Sequence, residues 1–151
     1  NIIKRRNNRH KMKIAIRYYS KTGNTKKLAD AISKVTGVPA ETVDQPLTEP
    51  VDILFLGSSV YAAGVDDAVK RFVTALNKEN VKKVVNFSTA ALLSSTYNQI
   101  KKLLEPKQIL LAEQEFHCRG SFKIMHKGRP GEEDLKAVQE FARSITGSTA
   151  G

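Results

Sequence analysis

A strand-like run that turns abruptly into a helix through hydroxyl residues and one glycine constrains this chain most. Residues 12–19 form an alternating apolar run, residues 20–25 read Ser20-Lys21-Thr22-Gly23-Asn24-Thr25, and an amphipathic helical pattern opens near Lys26. The first N–H groups of a helix have no partner within it, and the aligned peptide dipoles favour an anion beside them. Thr22, Asn24 and Thr25 add side-chain donors, while Gly23 lets the backbone approach closely. The stretch therefore reads as a phosphate site. It is not the nucleotide-triphosphate loop, because no Gly-Lys-Ser/Thr follows, and its glycine spacing fails the dinucleotide fingerprint. A plainer reading, a tight turn at Gly23 and a helix cap at Asn24, needs no ligand.

Strand and helix patterns keep alternating behind this turn. Residues 24–35 predict a helix that buries Leu28, Ala31, Ile32 and Val35, exposes Lys26, Lys27 and Lys34, and stops at Gly37 and Pro39. Residues 41–43 predict a short strand, 51–57 a buried central strand, and 66–76 a helix with acids in its first turn. Residues 81–87 predict a fourth strand, 95–104 a third helix, and 109–116 a fifth strand continuing toward Cys118. A last helix, 132–145, carries the apolar stripe Leu135, Val138, Phe141, Ala142 and Ile145. Such alternation makes the fold class α/β: a three-layer α/β/α arrangement around a doubly wound, five-stranded parallel sheet of order 2-1-3-4-5. Its ligand belongs above the carboxyl ends of the strands.

A chain of 151 residues suits one domain. No apolar run approaches the roughly 20 residues needed to cross a bilayer. Cys118 is the only cysteine, so no intramolecular disulfide can form, and a cytoplasmic location is expected. The net charge of +10 is unevenly spread, because residues 1–11 hold five positive charges and no acid. They are read as a basic N-terminal extension, disordered or non-native, ahead of a domain at 12–146 and a frayed C-terminus at 147–151. A basic arm touching nucleic acid or anionic lipid is the alternative.

Tyr-Ser-Lys-Thr-Gly-Asn-Thr, residues 19–25, resembles the flavodoxin phosphate loop, and the resemblance runs from about residue 12 to 145. It implies FMN as cofactor, with Ser20, Lys21, Thr22, Gly23, Asn24 and Thr25 around the monophosphate. It also implies that two further loops meet the ring. The first holds Ser58, Ser59, Tyr61 and Ala62. Tyr61 would stack on the flavin, a contact worth about 0.5–1.5 kcal/mol beyond buried area, or else pack across its loop. Many family members have glycine beside the flavin-contacting residue where this sequence has Ala62, with Gly64 two positions later. Alanine disfavours positive φ, which counts against stabilisation of a one-electron-reduced flavin. The other loop offers backbone groups of Ser88 and Thr89 to the ring's polar edge, and Tyr97 either touches the ring or sits on the first turn of the third helix. Residues 90–93 are apolar, as a docking surface, a substrate wall or an extension of the core.

The resemblance implies an electron carrier between redox partner proteins. The alternatives are an FMN-dependent NAD(P)H oxidoreductase acting on a small molecule such as a quinone, and a binding module without flavin. Family carriers are typically acidic around the flavin, whereas residues 12–151 here retain about half of the positive excess, so acidic partners are expected. Neither nucleic acid nor membrane is expected as a partner. Cys118 reads as a small hydrophobe, or as a thiol activated by His117 and Arg119. Lys123, His126, Lys127 and Arg129 read as a solvated basic loop or a docking patch. His117 and His126 lack the spacing of a zinc site. A phospho-acceptor receiver domain, which shares the strand order, is excluded because strand one ends in Tyr18-Tyr19-Ser20 and strand three in Gly57-Ser58, without the acids it needs.

Overall fold

The computed structural model describes residues 12–60, 64–90, 95–119 and 129–147. Its elements are β1 (Ile14–Tyr18), α1 (Asn24–Thr36), β2 (Ala40–Thr42), β3 (Val51–Val60), α2 (Asp67–Thr74), β4 (Val81–Ala90), α3 (Tyr97–Leu104), β5 (Leu110–Leu111), β6 (Phe116–Arg119) and α4 (Glu132–Thr146). The strands are all parallel in the order β2-β1-β3-β4-β5, with β6 also paired to β4. The predicted order 2-1-3-4-5 is the one found.

The fifth strand departs from its predicted single run over 109–116. Lys83 and Val84 face Leu110 and Leu111, but Phe87 onward faces Phe116 onward. Three steps along β4 are thus matched by five along its partner, and the surplus loops out at 112–115. Glu113 and Gln114 are exposed there, and Glu115 turns away to bond Ser95 and His117. The polar triplet interrupts the ladder that Leu110 and Leu111 began and Phe116 resumes.

Both faces of the sheet are covered, as parallel sheets require. Leu54, Leu56 and Val84 pack on one side against Val69, Phe72 and Val73 of α2 and Ile100 and Leu104 of α3. On the other, Ile16, Phe55, Val85 and Phe87 meet Leu28 and Ile32 of α1 and Val138 and Ala142 of α4. Gly57 pairs with Phe87 across β3 and β4, and a Cβ at Gly57 would lie 2.3 Å from the Phe87 ring and 3.0 Å from Thr25 Cγ2. The missing side chain lets the ring lie across the strand end.

The crossover from β2 to β3, residues 43–50, contains no helix, although a parallel connection usually carries one. Arg17 of β1 holds it instead. Its buried guanidinium donates to the carbonyls of Gln45 (Nε, 2.8 Å), Pro46 (Nη2, 3.1 Å) and Ile16 (Nη1, 3.0 Å), with Glu41 at 3.6 Å. A buried charge is tolerable only when hydrogen-bonded in this way. The side chain therefore takes the place of helix packing. Arg17→Met, which keeps the length and removes the donors, is expected to cost about 2 kcal/mol in urea unfolding and to speed amide exchange over residues 43–50. Unchanged stability and exchange would show that the crossover holds itself.

Helix α4 starts at a charged clamp. Asp134 accepts from the N–H of Gly131 at 2.9 Å and takes a two-pronged bond from Arg129 at 2.6 and 2.8 Å. The Arg129 bond, and then the Gly131 N–H, hold the Asp134 carboxyl below its usual range against the opposing effect of burial. A depressed folded value means that the clamp stabilises fully above the unfolded value of about 3.9 and fades as pH falls through the folded one. Asp134→Asn is therefore expected to be less stable than the wild type at neutral pH, the difference closing in acid; a gap independent of pH would contradict it.

Candidate functional site

The turn between β1 and α1 holds an oxygen at the start of the helix. Gly23 adopts φ 91°, a left-handed conformation that few other residues take, and α1 has no side-chain cap. The N–H groups of Gly23 and Lys26 converge instead on Ser20 Oγ, at 3.0 and 3.2 Å. Two backbone donors meeting at one oxygen form the concavity that a phosphate oxygen needs, and here the Ser20 hydroxyl stands in for it. Lys21 and Thr22 are exposed at the rim and Asn24 is buried at the first turn. These residues fit the monophosphate of FMN.

Thr25 faces the opposite way. Its hydroxyl is fully buried, 2.9 Å from Thr89 Oγ1 and 3.4 Å from the Ser58 carbonyl, so it ties the helix start to β3 and β4. The expected side-chain contact of Thr25 with phosphate is replaced by this link. Ser58, Ser59, Ser88 and Thr89 also differ from their reading as loop residues. Both central strands run three residues further than predicted, and Ser58 and Ser59 pair with Ser88 and Thr89, which pair in turn with His117 and Cys118. All four are buried strand residues. Hydroxyls read as turn signals belong here to strands whose polar side chains find one another.

The second half of that arrangement escaped the sequence reading. Asn86, wholly buried in β4, donates from Nδ2 to Thr96 Oγ1 at 3.0 Å, and Ser58 Oγ donates to the same oxygen at 2.9 Å. Ser88 Oγ lies 3.4 Å from the Thr96 N–H. An asparagine inside the apolar run Val84-Val85-Asn86-Phe87 was the signal, since a buried amide must have a partner. Tyr97 occupies the first turn of α3, the second of its two expected placements, and donates from its hydroxyl to the Ala112 carbonyl at 3.0 Å. Ser95, just before α3, donates to Glu115 Oε1 at 2.6 Å, and the other oxygen of Glu115 meets His117 Nδ1 at 2.6 Å. The return of the β4–α3 loop is thereby fastened to β6.

Tyr61 and Ala62 lie outside the described residues, as do residues 91–94 and Lys123, His126 and Lys127. Arg129 belongs to the clamp on Asp134. Cys118 is partly buried, and burial first, then the Asp134 charge, pushes its thiol up to about 12, with Arg129 opposing. It is a packing residue rather than an activated thiol. Among the described residues no group of acids, histidines and cysteine is arranged to hold a metal, and no helix is long and apolar enough to cross a membrane.

Known proteins share this fold. The family model of the flavodoxin domain matches residues 15–129. An uncharacterised protein of Methanocaldococcus jannaschii is 30% identical over 135 residues, covering 81% of this chain and 89% of its own length. A flavodoxin from the domain Archaea shares the fold with a TM-score of 0.73 and 15% identity, over 90% of this chain and 97% of that one. Oxidised flavodoxin 2 of Bacillus cereus does so with a TM-score of 0.67 and 17% identity, over 91% and 99%. Since the family match spans most of the chain, the protein belongs to the flavodoxin family and is an FMN-binding, flavodoxin-like protein.

Proposed function

We propose that this protein carries electrons between partner proteins through FMN held at the carboxyl edge of its sheet. The observation that carries the reading is the pair of N–H groups converging on one oxygen at the start of α1. Bound flavin supplies the redox chemistry, and the protein supplies binding, orientation and electrostatics. Ser20, Gly23 and the first turn of α1 bind the phosphate. The Thr25–Thr89 bond fixes that loop against the strand ends from which the ring loops leave. Asn86 and Thr96 fix the start of α3 against the same ends. None of these groups has to give or take a proton. The exposed Lys21 and Lys27 and the residual positive charge of residues 12–151 suit an acidic partner.

The cofactor test compares FMN with riboflavin, which lacks the phosphate. The wild type is expected to co-elute with FMN on gel filtration and to bind riboflavin far more weakly. Gly23→Ala strains the left-handed residue without a clash, as nothing lies within 4 Å of the added Cβ. It is expected to lose about tenfold in FMN affinity, about 1.4 kcal/mol, with riboflavin binding unmoved. A colourless protein in excess FMN would overturn the reading.

A second test reads the charge. A basic domain stabilises the extra negative charge of fully reduced flavin and raises the potential of the second electron. Salt shortens the Debye length from about 30 Å at 0.01 M to about 3 Å at 1 M, so that potential is expected to fall as salt is added. The loaded protein alone is expected to leave NADPH unconsumed. A potential that rises with salt would contradict the basic field, and steady NADPH turnover would favour a reductase.

A further inference from the structure

The helix-free crossover has left a cleft. A cavity of about 770 Å³ lies between residues 42–47 and α2, and it reaches Tyr19 and Ser20 behind the phosphate loop. Its volume is within the roughly 300–1,000 Å³ typical of small-molecule sites. Val43, Leu47, Phe72 and Leu76 give it apolar walls. The wall at 42–47 is pre-formed, because Arg17 grips the carbonyls of Gln45 and Pro46.

Two charges stand on different walls. Asp44, on the crossover, accepts from the Thr42 hydroxyl, and that bond holds its carboxyl below the usual range. Arg71, in the last turn of α2, is exposed and has no carboxylate partner among the described residues. The negative wall repels an anion, while the positive one has a planar two-pronged donor to offer it. We propose that the cleft binds a small aromatic carboxylate, its ring between Leu47 and Phe72 and its acid group on Arg71. The cleft shares Ser20 with the phosphate turn, but the contacts proposed here, Leu47, Phe72 and Arg71, lie outside that turn and do not depend on the flavin reading.

The probe is 2-naphthoate, titrated into FMN-saturated protein and followed by amide NMR, with uncharged 2-naphthamide as control. Saturating FMN keeps the probe out of a flavin site. Saturable shifts are expected at Val43, Leu47, Phe72 and Leu76, with the amide binding at least about tenfold more weakly. Arg71→Gln is expected to bring the naphthoate down to the level of the amide, and Lys70→Gln, on the same helix but outside the cleft, to change nothing. The proposal is overturned if shifts gather at Ser58 and Thr89 instead, if none saturate, or if Arg71→Gln binds as the wild type does. A protein that takes up no FMN but shows the same Arg71-dependent shifts when titrated without it would overturn the flavin reading and leave the cleft standing.

Discussion

The bond between the hydroxyls of Thr25 and Thr89, 2.9 Å long and fully buried, is the constraint on which the site depends. It joins the helix that would receive a phosphate to the strand whose end would meet a ring. A net contribution of about 1 kcal/mol is ordinary for such a bond, but stranding one buried hydroxyl costs about 1–3 kcal/mol. The site is thus held less by the strength of its contacts than by the cost of opening them. Gly57 makes the approach possible, because the Phe87 ring and the Thr25 methyl occupy the space where a side chain would stand. Removing bulk at one strand position lets an aromatic core residue and a polar tie share the same few ångströms.

On the other face of the sheet, Ser58 and Asn86 meet on Thr96. Hydroxyl–amide clusters in a low-dielectric interior are strongly directional, and each partner restricts the others. The two links therefore fix the ends of β3 and β4, one through α1 and one through α3.

How much of this was legible follows from what each residue type signals. Strand order and helix positions could be read because apolar periodicity and the Gly37 and Gly131 boundaries agree with each other. The turn itself could be read because glycine takes the left-handed conformation that carries β1 into α1. The strand ends could not, because Gly57-Ser58-Ser59 and Ser88-Thr89 carry turn chemistry in one dimension and ladder chemistry in three. Nor could the split of the last strand be seen. The acids at 113 and 115 look like solvent-facing strand positions until Ser95 and His117 are found beside Glu115. Arg17 was hidden most completely, since nothing local to an alternating strand distinguishes a cation that will be buried from one that will not.

The sheet thus has two solutions to a single difficulty, polar backbone at the ends of buried strands. At the carboxyl ends of β3 and β4 the partners are hydroxyls and an amide, which satisfy one another and carry no net charge. At the edge near β2 the partner is a full charge, bonded to three carbonyls. A guanidinium can bridge a crossover that has no helical hydrogen bonds because it presents donors in several directions at once. Its reach is limited, however, and the chain it gathers covers only part of the face that a helix would cover. The cleft beside α2 is the geometric remainder of that exchange. Its shape follows from replacing a packed helix by one side chain, as surely as the shape of the phosphate turn follows from Gly23.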